Sequence, residues 1–190
     1  SVILAILSIG VIGALIWRIQ CSISYYDEVL NVYVSYTTAV LGQRHLVENS
    51  YIFSMGDIFN LPFVYLFYHI TGGTEGIILF IRFVYLGYNM LLMLVFYLAF
   101  EKYCGKAECI LFGFLFITFF PGGMYTVCYD TAAIFFTMLS CIALLASEVR
   151  GNEGTSKWRF LAGISHACMV YAYPGMGLTI IVLWITLTIW

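Results

Sequence analysis

The sequence predicts an all-α, polytopic integral membrane protein. Three observations carry that reading. The 190 residues are 63% hydrophobic and only 9% charged, whereas soluble domains carry about 25% charged residues. The mean hydropathy is +0.97. The apolar residues are gathered into runs, several of them in the range of roughly 17 to 25 residues that bilayer-spanning helices need. The net charge of −2 leaves no basic patch to meet phosphates, so no nucleic-acid partner is expected.

The apolar runs fall at about 1–20, 58–70, 76–100, 109–128, 131–147, 160–177 and 178–190. Counted as seven crossings, they put the basic loops and the acidic loop after the first run on the same side. The positive-inside rule asks for the opposite. The run at 58–70 resolves the conflict. It is too short for roughly 30 Å of hydrocarbon, and Asn60 and Pro62 near its start suit a re-entrant segment that dips and returns. Six spans remain. The first runs outward, and residues 21–74 form one large outer loop. The span 76–100 returns to the loop carrying Lys102 and Lys106. Spans 109–128 and 131–147 go out and back, and Arg150, Lys157 and Arg159 are cytosolic. The spans 160–177 and 178–190 complete the map. Pro62, Pro121 and Pro174 all fall on the outer side, just where helices end or begin. Ser1 and Trp190 both lie inside apolar runs, so a fragment of a longer membrane protein is expected.

Within the outer loop, residues 26–42 place Val29, Val32, Tyr33, Tyr36 and Val40 on one helical face and Asn31, Ser35 and Thr38 on the other. That pattern predicts an amphipathic helix lying on the membrane surface, with Gly42 as its stop. The alternation over 31–37, rich in Val, Tyr and Thr, keeps a strand as the alternative.

Asp27 and Glu28 open this helix, two adjacent carboxylates at a membrane exit. Ser24-x-x-Asp27 also resembles a capping box, and acids in a first turn favour the positive end of the helix dipole. The chemical reading is a general base: a carboxylate with weakened hydration gains proton affinity and can take a proton from an attacking hydroxyl. Arg82 lies several residues inside the span that starts near Gly76. An arginine there snorkels to the interface or meets an anion such as a lipid phosphate. Asp130 starts the span at 131, as an N-cap or as part of an outer site. Asp57 and Glu75 flank the short apolar run, and His45 sits in the outer loop. The tyrosines suit an interfacial belt, while Tyr25, Tyr26 and Tyr51 could also stack on a sugar. The six cysteines form no C-x-x-C pair and no zinc spacing. They read as small apolar side chains, with a Cys21–Cys128 disulfide as an open alternative. No metal-ligand cluster is evident, and two adjacent acids do not establish a divalent metal or any other cofactor.

These features in this order resemble the N-terminal half of GT-C type glycosyltransferases. They are an outward first span, an Asp-Glu pair opening a surface helix and a short Pro-containing apolar dip. A Glu75-to-Arg82 entry into the next span and an Asp at the outer start of a later one follow. The segment YHITGGTEGIILFIRFVYLGYN is the most family-like stretch, and the group most similar is that of the protein O-mannosyltransferases and aminoarabinose transferases. The resemblance implies transfer of a sugar from a polyprenyl-phosphate donor to a lipid, protein or glycan acceptor. The active site would face outward from a bacterial cytoplasmic membrane. It implies Asp27, with Glu28, in the catalytic role. Arg82, Asp130, Tyr26, Asp57 and His45 are then expected around donor and acceptor. The family's Pro-Pro-Leu element is not intact: Phe59-Asn60-Leu61-Pro62 carries one proline and no adjacent basic residue. A non-enzymatic polytopic protein, such as a transporter or lipid flippase, is the alternative. Transporters keep ionisable groups near the midplane, whereas here the acids cluster outside.

Overall fold

The computed structural model describes residues 2–21, 26–43, 52–119, 124–150, 154–179, 181–182 and 185. Among them every regular element is helical. In chain order these are α1 (Val2–Cys21), α2 (Tyr26–Ala39), a 3-10 helix (Ile52–Phe59), α3 (Leu61–Thr71) and α4 (Ile77–Cys104). They continue as α5 (Lys106–Thr118), α6 (Tyr129–Val149), α7 (Thr155–Ala172) and a 3-10 turn (Pro174–Met176). By length and composition, α1, α4 and α6 are able to cross a membrane. Twenty residues at about 1.5 Å rise match the roughly 30 Å of a hydrocarbon core. Their outward faces are apolar, with Ile3, Ile6 and Ile9 on α1 and Leu91, Leu94 and Leu98 on α4 exposed, as contact with lipid requires.

The core is built on α4 and α6, which run side by side in the same direction. Tyr85 packs with Ala132 and Ala133 near the start of both, and the Tyr88 and Phe135 rings meet edge to face at 4.9 Å. At the far end, Arg150 donates from Nε to the Ala99 carbonyl at 3.4 Å and from Nη2 to the Leu98 carbonyl. Between the two, α5 returns along α4. Gly105, at φ +83°, makes the reversal, a backbone setting that glycine adopts at little cost. α7 returns along α6, where the Ser140 hydroxyl donates to the Ala162 carbonyl at 3.3 Å and lies 2.5 Å from His166 Nδ1. The bundle therefore has a head end, where α4 and α6 begin, and a tail end at Gly105 and Arg150.

The head end carries the remaining elements. α3 is eleven residues long, about 16 Å, too short to cross a bilayer. It folds back against the first third of α4, with Phe67 on Phe80 and Phe63 on Tyr88. It belongs to the run expected at 58–70, whose first part is the end of the 3-10 helix. Gly56 of that 3-10 helix lies directly on the start of α6. A Cβ there would stand 2.2 Å from Tyr129 Cα, so backbone meets backbone with no room for a side chain.

Three expectations differ from the fold. The run 109–128 is helical only to Thr118, ahead of a Pro-Gly-Gly sequence that does not favour helix. Its end, Tyr125–Cys128, is a buried non-helical segment. The run 160–177 breaks at Tyr173, ahead of Pro174. The helix expected at 26–42 forms over Tyr26–Ala39, and its burial cuts across the expected faces: Val32 packs into the core with Tyr36 beside it. Glu28, Asn31 and Ser35 are buried while Val29 and Tyr33 are exposed. The polar stripe has partners inside the protein, and those partners decide the orientation. Most of the run 178–190 lies outside the described residues.

Candidate functional site

Glu28 faces inward from the first turn of α2 and is fully buried. Its Oε2 lies 2.6 Å from Arg82 Nη2, and its Oε1 accepts the Tyr125 backbone N–H at 2.8 Å. Arg82, itself 3% exposed, donates from Nη1 to the Ile19 carbonyl at 3.0 Å. That carbonyl belongs to the last turn of α1, where helix carbonyls lack an intrahelical partner. A guanidinium there also meets the negative end of the α1 dipole, and a carboxylate in the first turn of α2 meets a positive end. One ion pair thus ties together α1, α2, α4 and the segment before α6, spanning 54 positions between its two charges.

Tyr125 completes the corner. Its buried ring lies 5.7 Å from the Arg82 guanidinium carbon and 5.4 Å from that of Arg18, distances at which a cation is attracted to a ring face. Arg18, on the last turn of α1, is exposed. Sequence reasoning missed both Arg18 and Tyr125. The position of Arg18 at the end of an apolar run was the visible signal; nothing local marks Tyr125.

Beneath α2 a second polar cluster forms. Asp57 is 2% exposed, and its main-chain carbonyl accepts the Ser35 hydroxyl at 3.4 Å and the Asn60 N–H at 2.8 Å. Its Oδ1 has no hydrogen-bond partner among the described residues. Burial raises the Asp57 pKa from 3.8 to about 8, because the charged form loses its hydration. Asn60, fully buried, precedes α3 but does not cap it; its Nδ2 donates to the Val127 carbonyl. Asn60 Oδ1 and Thr126 Oγ1 are likewise unpartnered among the described residues.

Asp130 is not the cap of its helix. Cys128 is the N-cap, with the Thr131 hydroxyl accepting the Cys128 N–H at 2.7 Å, and Asp130 is the second helical residue, partly exposed at the head end. Threonine supplies the capping oxygen here, which leaves the aspartate carboxylate in the first turn, favoured by the dipole.

The fold gathers Glu28, Arg82, Asp57 and Asp130 at the head end. Glu28, expected in catalysis, is enclosed by its two donors. Arg82, expected at a donor phosphate, holds the protein's own carboxylate. Asp57 lies buried under α2. Asp27 and Tyr26 open α2, but their side chains, and His45, lie outside the described residues. Glu75 is exposed in the turn before α4. All six cysteines are free thiols, with Cys21 exposed and Cys128 buried, so the alternative of a disulfide between them is not realised. Among the described residues no three His, Cys, Asp or Glu side chains converge as metal ligands.

Comparison with protein-family models, with curated proteins and with solved structures finds no match.

Proposed function

We propose that the chain belongs to a membrane glycosyltransferase of GT-C type. It would move a sugar from a polyprenyl-phosphate donor to a lipid, protein or glycan acceptor on the non-cytosolic side. The observation that carries this reading is the Glu28–Arg82 pair with the Tyr125 N–H. It pins the opening of α2 to the heads of α4 and α6, so that position 27 and Asp130 share one end of the bundle. Five of the eight Lys and Arg residues (Lys102, Lys106, Arg150, Lys157, Arg159) belong to the other end, which favours a cytosolic tail end.

In this reading Glu28 and Arg82 are the frame, not the reacting groups. Position 27 lies about 100° around the helix from the inward-pointing Glu28, and Asp27 is the base. It takes the proton of the acceptor hydroxyl as that oxygen bonds to the anomeric carbon. The bond from that carbon to the phosphate oxygen breaks, and the polyprenyl phosphate leaves with the electron pair. Arg18, exposed at this end with its guanidinium 5.4 Å from the Tyr125 ring, is a cation that could meet the donor phosphate. Asp130 lies on the sugar side.

The test is Asp27→Asn assayed in native membranes with a radiolabelled polyprenyl-phosphate sugar. Transfer is expected to fall about 10²–10⁴-fold, the range typical of a lost general base, while expression and insertion persist. Transfer at the unsubstituted rate would remove the assignment. A second reading, a proton-coupled carrier, is favoured by one observation: Asp57 is a buried carboxyl with Oδ1 unpartnered among the described residues and its pKa raised to about 8 by burial, the kind of group that proton carriers use. Loss of uptake in Asp57→Asn, with sugar transfer absent from both proteins, would select it.

A further inference from the structure

At the tail end a cavity of about 460 Å³ opens between the end of α6 and the start of α7, lined by Arg150, Gly154, Lys157, Trp158 and Leu161. We infer that it binds the phosphate of an anionic phospholipid headgroup, with the lipid's acyl chains passing down beside Leu161.

Four features point there. Arg150 is held in place: its Nε and Nη2 donate to the Ala99 and Leu98 carbonyls, and its guanidinium carbon lies 5.3 Å from the centroid of the Trp158 ring. Neither bond uses Nη1, and the exposed Lys157, which lines the same cavity, brings a second positive charge. An arginine and a lysine lining one cavity suit a phosphate better than a carbonyl or a sugar. The neighbouring carboxylate, Glu148, is turned to Arg159 at 3.4 Å. Next to the lining Gly154, the Thr155 hydroxyl is buried without a partner among the described residues, at the start of an eighteen-residue helix whose positive end favours an anion.

The lining also matches a lipid more closely than a free ion. Arg150 directly follows α6, a helix of crossing length, so the cavity stands at the level where hydrocarbon gives way to headgroups. Tryptophan concentrates at that level. Leu161 and the Trp158 ring form an apolar wall that inorganic phosphate does not need. Basic pockets between helices on the cytoplasmic side are a recurrent form of headgroup recognition.

The test is native mass spectrometry of the protein released from nanodiscs holding equal phosphatidylglycerol and phosphatidylcholine. The unsubstituted protein should retain phosphatidylglycerol preferentially. Lys157→Gln leaves the Arg150 bonds untouched and should cut that preference about fivefold, the effect of one basic residue near an anionic surface. Arg150→Gln/Lys157→Gln should abolish it. Lys102→Gln/Lys106→Gln removes two charges from the same end but none from the cavity, and should leave the preference intact. Equal loss in both double variants would overturn the site in favour of diffuse surface charge. So would an absence of preference in the unsubstituted protein, or an unchanged preference in Lys157→Gln. Displacement of the lipid by millimolar inorganic phosphate would overturn the headgroup assignment in favour of a free anion.

Discussion

Replacing Asp57 with asparagine should make the protein more stable at neutral and alkaline pH, and the size of the effect follows from its surroundings. The carboxyl is buried with one oxygen unpartnered among the described residues, and its pKa stands at about 8 against 3.8 for the free group. The sign follows from linkage. Between those two values the folded protein keeps a proton that the unfolded chain has released. The group's contribution is therefore complete below pH 3.8 and lost progressively as the pH rises to about 8. Each pH unit in that interval corresponds to about 1.4 kcal/mol. At about pH 7 the accumulated penalty is on the order of 4 kcal/mol, and above the folded pKa it reaches about 6. Asparagine has nearly the same volume and cannot ionise. Its amide brings an N–H that needs a partner, at a cost of about 1–3 kcal/mol. The net gain expected near pH 7 is therefore about 1–3 kcal/mol, shrinking to nothing or reversing near pH 5.

The assay is thermal unfolding in detergent, followed by circular dichroism, of both proteins across that pH range. The quantity to read is the difference between the two curves, which cancels every group that titrates alike in both. A difference that widens from acid to alkaline pH is the expected result. Two parallel curves would mean that Asp57 is ionised in the folded protein, or hydrated, and the argument from burial would be wrong.

Other perturbations test other parts of the molecule. Arg82→Met leaves the Glu28 carboxylate buried without its counter-ion and should cost about 3–5 kcal/mol; the paired Glu28→Met/Arg82→Met variant should unfold later than that single variant, and additive losses would deny the coupling. Gly56→Ala drives a methyl into the Tyr129 backbone and should destabilise by about 1–3 kcal/mol. Gly163→Ala, on a helix with open space around it, should instead stabilise by about 0.5–1 kcal/mol, and similar behaviour of the two would contradict the close approach. Cys21 and Cys104 are both exposed, at the ends of α1 and α4 and therefore at the head and tail of the bundle. In single-cysteine variants an impermeant maleimide applied to intact cells should modify Cys21 and spare Cys104; the converse would invert the orientation.

How much of this was legible beforehand is best judged on α2. Its helical character was readable from spacing, and it forms where expected, ending three residues early. Its orientation was assigned from hydropathy, which turns Val29 and Tyr33 toward an apolar phase and Asn31 and Ser35 toward water. The fold does bury the polar stripe, because Glu28, Asn31 and Ser35 recur at helical spacing on the side that faces Arg82 and the Asp57 main chain. In a chain with so few charges, a polar stripe at helical spacing is itself a sign of an internal partner. Such a group is expensive to bury alone and is retained where it is paired. That partner could not be named from the sequence, since Arg82 is 54 positions away and only tertiary packing brings the two together. Hydropathy failed for the same reason at Tyr125–Cys128. A segment buried by protein and a segment buried by lipid have the same composition, so the run 109–128 read as one span. Pro121 was visible there and was placed at a helix end, yet the helix already ends at Thr118 and Tyr125–Cys128 is a packed connection. The misread connection supplies the backbone N–H that holds Glu28. The two departures, α2 turned inward and α5 cut short, are thus one structural fact: shortening the helix leaves a peptide group at the head of α6, and the inward face of α2 is where that group finds its acceptor.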